Sequence, residues 1–196
     1  KKPKLVNDHD FSSYAAGKGI PYGVYDTSAN TGLILLGTTY NTPEFAVDSV
    51  VKWWEKKGNK RYPEAKNMII LADSGGSNGY RSNIWKVGLQ EKLCDKYNLS
   101  VTVCHYPVGA SKWNPIEHRL FSEISKNWIG KPLTDYETML KYIRTTETLT
   151  GLKVDAYLMR KQYKKGEKVS KERLLSRSLK EHEIIPDWNY TINPRR

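Results

Sequence analysis

One stretch constrains the fold of this chain more than any other. It is Asn67-Met-Ile-Ile-Leu-Ala-Asp73, five apolar residues in a row closed by an acid and followed at once by the glycine-rich Ser74-Gly-Gly-Ser-Asn-Gly79. A continuous apolar run of that length, bounded by turn residues, reads as a central strand covered on both faces. The segments around it agree with a mixed α/β sheet. Ile20-Pro-Tyr-Gly-Val-Tyr25 and Leu33-Ile-Leu-Leu-Gly-Thr-Thr39, joined by an Asn/Gly-rich turn, read as an antiparallel hairpin. Thr42 as a cap, Pro43 at the first helical position and Phe45, Val47, Val50, Val51 and Trp54 at helical spacing predict a helix ending near Gly58. A helix over 84–97, a strand over 99–105, a helix over 115–128 and another over 133–148 follow. Strand–helix–strand units imply parallel neighbours and right-handed crossovers.

Residues 149–196 read differently: looser, very basic, with one further helix from Ser170 to about Leu179. The expected organisation is therefore an α/β unit over 1–148 and a basic C-terminal extension over 149–196. The whole chain carries 32 Lys+Arg against 21 Asp+Glu, a net charge of +11 in 196 residues. Residues 131–196 hold 15 of the former and 9 of the latter, so a third of the chain carries +6. Such an excess favours a polyanion such as nucleic acid, and less often a membrane surface. No apolar run approaches the length of a membrane span. Two cysteines, Cys94 and Cys104, are too few for a disulfide framework and form no CxxC pair, so a reducing cytoplasm is expected. The chain starts Lys-Lys-Pro-Lys with no initiating Met and no apolar leader, which reads as a fragment or processed product.

Two carboxylates stand where chemistry is done. Asp73 closes the apolar strand, and ligand sites in open α/β sheets form outside such strand ends. A plain alternative is an Asx-turn opening the glycine loop. Glu117 lies in Ser111-Lys-Trp-Asn-Pro-Ile-Glu-His-Arg119, three after a good N-cap, Asn114, and two after Pro115; its plain reading is half of a capping box. One helix and one strand separate the two acids, a path that returns the chain to the same end of the sheet. Carboxylates meeting there repel unless cations lie between them. On a basic chain, that pattern points to metal-assisted phosphoryl transfer on nucleic acid. The rival motif, Gly75-Gly-Ser-Asn-Gly79, matches the nucleophile elbow of serine hydrolases, with Ser77 attacking and His118 or His182 completing a triad. Of the other histidines, His9 falls in an early loop and His105 ends a strand; no spacing resembles a zinc motif. Trp113 alone among the six tryptophans sits in a loop and suits base stacking.

Several segments resemble the ISAzo13-type DDE transposases of bacterial insertion sequences. They are Ile20-Pro-Tyr-Gly-Val-Tyr-Asp26, Ala72-Asp-Ser-Gly-Gly-Ser-Asn-Gly79, Val103-Cys-His105, Ser111-Lys-Trp-Asn-Pro-Ile-Glu-His-Arg-Leu-Phe-Ser122, Thr150-Gly-Leu-Lys-Val154 and Trp188-Asn-Tyr-Thr-Ile192. The resemblance implies an RNase H-like mixed sheet flanked by helices. It also implies three carboxylates holding two Mg²⁺ (or Mn²⁺) ions for attack on a phosphodiester. By motif match Asp73 is the second acid and Glu117 the third. The strand carrying the first acid would precede Lys1, so a sheet without its first strand and an incomplete metal site are expected; Asp8, Asp10 and Asp26 are the local substitutes. DNA as partner, transposon ends and target alike, a homo-oligomer in the full-length protein and a cytoplasmic, nucleoid-associated location complete the expectation. The rivals are a DNA-binding remnant without catalysis and the serine hydrolase.

Overall fold

The computed structural model describes residues 17–195. Asp8, His9 and Asp10 lie outside them. The hairpin forms as expected: β1 (Ile20–Asp26) pairs antiparallel with β2 (Thr31–Gly37). Asn30 takes the left-handed conformation that closes the turn. Leu33, Ile34, Leu35 and Leu36 are all fully buried, because β2 is covered by helices on both faces and has a strand on each side. Its second neighbour is β5 (Lys153–Met159), which runs parallel to it.

The second sheet starts from β3 (Asn67–Asp73), which pairs in parallel with β4 (Ser100–Tyr106). Beyond β4 the order continues to β7 (Asn189–Ile192) and then β6 (Leu179–Glu181), both pairings antiparallel. Both sheets are mixed. The helix α1 (Pro43–Trp53) starts at Thr42, whose hydroxyl accepts from the Phe45 N–H, and runs on through a wide turn, Trp54–Gly58, to Arg61. The helix α2 (Asn83–Leu89) is capped by Ser82 and continues to Tyr97, where Asn98 ends it in the left-handed conformation. These two pack so closely that a Cβ on Gly88 would lie 2.8 Å from a Val47 methyl. Phe45, Val47, Trp53, Trp54, Trp85 and Leu89 then form one core with Leu33 and Leu35 of the first sheet and Val101, Val103 and Tyr190 of the second. On the other face of the first sheet, the α3 helix (Ser122–Trp128) and α4 (Tyr136–Arg144) enclose a second core around Ile34, Leu36, Val154 and Ala156.

Two features differ from the sequence reading. β3, expected at the centre and covered twice, is a sheet edge. Ile69 is 70% and Leu71 49% exposed, while Met68 and Ile70 face the core. The reason is a seam: among the described residues β1 and β3 each have one paired side only, and neither pairs with the other. Residues 149–196, expected to hold one helix from Ser170 to about Leu179, supply β5, β6 and β7 and only a short helix α5 (Lys171–Leu175). Their strands were hidden by charge, with Lys153 and Asp155 in β5 and Lys180 and Glu181 in β6.

Candidate functional site: a carboxylate pair at the end of β3

Asp73 is the last residue of β3 and half-buried. Its backbone is fixed by a chain of hydrogen bonds whose polarity follows from its ends. A carbonyl oxygen only accepts, so His105 donates from Nδ1 to the Asp73 carbonyl at 2.9 Å. The Nε2 of the same neutral ring then accepts from the Tyr190 hydroxyl at 3.2 Å. That hydroxyl oxygen accepts in turn from Trp85 Nε1, an obligate donor, at 3.1 Å. Burial lowers the His105 pKa, in keeping with the neutral ring this chain needs.

The Asp73 side chain is tied to the segment bearing Glu117 through one residue. Asn114, only 6% exposed, donates from Nδ2 to Asp73 Oδ1 at 3.2 Å. Its Oδ1 accepts from the Ile116 N–H at 3.3 Å, and its backbone carbonyl accepts from the Glu117 N–H at 3.1 Å. Asn114 is thus the helix cap the sequence indicated, and also a bridge between the two acids, which the sequence did not show. Glu117 does not complete the expected capping box: among the described residues its carboxylate has no hydrogen-bond partner. It opens a wide turn, Glu117–Phe121, inserted before α3; such turns recur at functional sites. Burial first, and then the Asp73 charge, push the Glu117 carboxyl above its ordinary range.

Around the pair stand residues that sequence reasoning missed. Tyr22 reaches across the seam from β1 to the Asn78 side chain and the field of Asp73; burial, with that charge added, raises its phenol pKa. Tyr106, at the end of β4, is raised by burial and then by Asp73. Tyr22 lies within the motif Ile20–Asp26, so its signal was available in outline, whereas Tyr106 falls one residue beyond Val103-Cys-His105.

Asp26 is not a neighbour of the pair. Its carboxylate accepts from the N–H groups of Ser28 and Ala29 and from the Tyr62 hydroxyl. Tyr62 precedes the start of β3, whereas Asp73 ends it, and seven strand residues span about 20 Å. The serine-hydrolase constellation does not assemble either. Ser77 is only 6% exposed, within a short helical turn where the positive φ belongs to Gly76. His118 donates to the Lys112 carbonyl and His182 bonds Thr191 Oγ1 at 2.9 Å.

Among the described residues no group of three or more His, Cys, Asp or Glu side chains is arranged to hold a metal ion. The pair itself offers hard oxygen donors of the kind divalent cations take. Two surface concavities, one lined by Asn98, Ser178, Asn193, Pro194 and Arg195 and one beside Thr42 and Lys164, leave Asp73 and Glu117 out.

Two mixed sheets flanked by helices are consistent with an RNase H-like DDE domain. The family described as the Rhodopirellula transposase DDE domain matches residues 1–194, and the chain belongs to this family of ISAzo13-type transposases. Comparison with curated proteins and with solved structures found no match. The family implies DNA as partner and divalent metal use in general. No helix among the described residues is long and apolar enough to cross a membrane.

Proposed function

We propose that this chain is the catalytic part of a bacterial insertion-sequence transposase. It cuts and joins DNA strands by metal-dependent phosphoryl transfer, with Asp73 and Glu117 as two of the acids that hold Mg²⁺ or Mn²⁺. The observation that carries this reading is that Asn114 bonds the Asp73 carboxylate and the Glu117 backbone N–H, while the Asp73 charge adds to burial in raising the Glu117 carboxyl. Two anions held together at the cost of a raised proton affinity are a site prepared for cations. Bound divalent ions would supply charge neutralisation at the scissile phosphate and a more acidic nucleophile. The chain's own part is to fix the donors: His105 and the strand hold the Asp73 backbone, and Asn114 sets its carboxylate against Glu117.

The described residues contribute two acids to a family named for three. The third belongs on a strand seated in the seam between β1 and β3, where both free edges offer unpaired backbone groups. The basic segment 149–196 contacts phosphates, the protein acts in the cytoplasm at the nucleoid, and the full-length transposase assembles as a homo-oligomer on its DNA ends.

Calorimetric titration of the chain with Mn²⁺, with Asp73→Asn and Glu117→Gln beside the parent, tests the pair directly. Saturable binding lost in both variants supports the assignment; equal heats from all three proteins reject it. Nicking of supercoiled DNA in Mg²⁺ or Mn²⁺ then separates a working catalytic domain from a DNA-binding remnant, which would bind in a salt-sensitive way and leave the plasmid closed.

A further inference from the structure

Large aromatic side chains of this protein are mostly spent on its core. Trp53, Trp54 and Trp85 are buried in one cluster. Trp113 is the opposite case, 70% exposed, in the loop that leaves β4 and leads into Asn114. No aromatic partner lies against it among the described residues, and its neighbour in the same loop, Val108, is exposed too.

The backbone beneath that ring is nevertheless held firmly. The Trp113 N–H donates to the Ala110 carbonyl at 2.9 Å, and the Ala110 N–H to the Pro107 carbonyl at 3.0 Å. His118, next to Glu117, donates from its ring to the carbonyl of Lys112, pinning the loop to the segment that carries the acid. An exposed indole on an ordered backbone is a binding surface with part of its ordering cost already met. Its charge surroundings select the ligand. The Lys112 ammonium lies 5.2 Å from the ring centroid, on a chain of net charge +11. One residue further on, Asn114 touches Asp73.

We propose that Trp113 is a stacking platform for an unpaired base of single-stranded or locally opened DNA, one step along the strand from the carboxylate pair, with Lys112 contacting the adjoining phosphate. Every base offers a π-face to an indole, so the contact is indifferent to sequence. It requires a base free of its own stack, so it discriminates against intact duplex. The inference rests on the DNA-processing reading given above, but not on metal binding or on the third acid.

The test is metal-free. Fluorescence anisotropy at low salt would compare a labelled single-stranded oligonucleotide with its duplex, using the parent chain, Trp113→Phe and Trp113→Ala. Loss of one stacked base weakens binding by roughly tenfold. The expected result is that loss for Trp113→Ala on the single strand, less than a twofold change on the duplex, and recovery of most of the affinity in Trp113→Phe. Quenching of tryptophan emission by the oligonucleotide should shrink in Trp113→Phe even though that variant still binds. Single-strand affinity unchanged in Trp113→Ala, or an equal loss on both DNA forms, overturns the stacking role while the parent's DNA binding leaves the transposase reading standing. A parent chain that binds neither DNA form overturns both.

Discussion

Asn114 has one amide and a carbonyl, and uses them on three partners: the Asp73 carboxylate, the Ile116 N–H and the Glu117 N–H. Losing the cap costs about 1 kcal/mol and losing a hydrogen bond to a charged group about 1.5–3 kcal/mol. Asn114→Ala is therefore expected to lower stability by roughly 2–4 kcal/mol in a urea titration and to weaken Mn²⁺ binding. Asn114→Asp keeps the cap but sets a third negative charge beside Asp73, so its deficit should shrink as the pH is lowered. Glu117 gives the complementary prediction. Its folded pKa is raised by burial and by Asp73, so the folded chain holds that proton more tightly than the unfolded one. Stability then falls as pH rises from the ordinary carboxylate value, about 4.3, through the raised folded value. Glu117→Gln removes this penalty: metal-free, it should melt on the order of 1–2 °C above the parent at pH 7, and level with it near pH 4. A site that grows more stable when its acid is neutralised is one built for something other than stability. The placement of Asp73 at a strand end and of Glu117 near a helix start was legible in the sequence, because these are marked by Asp-Ser-Gly-Gly and Asn-Pro. The bridging by Asn114 was not, since a cap residue looks the same whatever its free N–H groups touch.

At the scale of elements, the seam between β1 and β3 has the largest consequences. Side chains alternate along β3, so Met68 and Ile70 enter the core while Ile69 and Leu71 face outward. On that outer face the neighbouring strands carry Thr102 and Thr191, hydrogen-bonded to each other at 2.8 Å. The apolar residues are thus confined to the strand beside the seam. An unpaired apolar edge recruits other strands. Ile69→Lys should reduce concentration-dependent light scattering by the chain while changing its unfolding free energy by no more than about 0.5 kcal/mol. Amide exchange should be slow in β2 and fast at the outward N–H groups of β1 and β3. The sequence predicted β3 as a strand but misplaced it within the sheet, because an apolar run reports what a strand is made to be covered by, and not which neighbour is present. Starts of α1 and of the segment leading to α3 were readable from Thr42-Pro43 and Asn114-Pro115, where local hydrogen bonding alone decides. The three late strands were not, because each takes its conformation from partners far away in the chain.

The whole molecule is tied together by a charged knot as well as by its core. Asp48 of α1 receives Lys92 at 2.7 Å, Lys161 at 2.8 Å and the Tyr163 hydroxyl at 3.0 Å, joining the end of β5 to α1 and to the extension of α2. Burial alone would raise the Asp48 pKa, but the bonds from Lys161 and Lys92 hold it below the usual carboxylate range. Its contribution is therefore present above the unfolded carboxylate value and lost as pH falls through the lower folded one. Asp48→Asn should cost about 2 kcal/mol at pH 7, with the difference from the parent closing below about pH 4, read by denaturant titration at each pH. The knot, like β7, means that distant parts of the chain finish what early parts begin. The polar chain that fixes Asp73 is the clearest instance, for His105 waits on Tyr190, 85 positions later. At synthesis rates of roughly 5–20 residues per second, that interval is about 4–17 s on the ribosome. A nascent chain long enough to hold both acids still lacks the anchor that orders the backbone at Asp73, so that strand end stays unset until Tyr190 has been made.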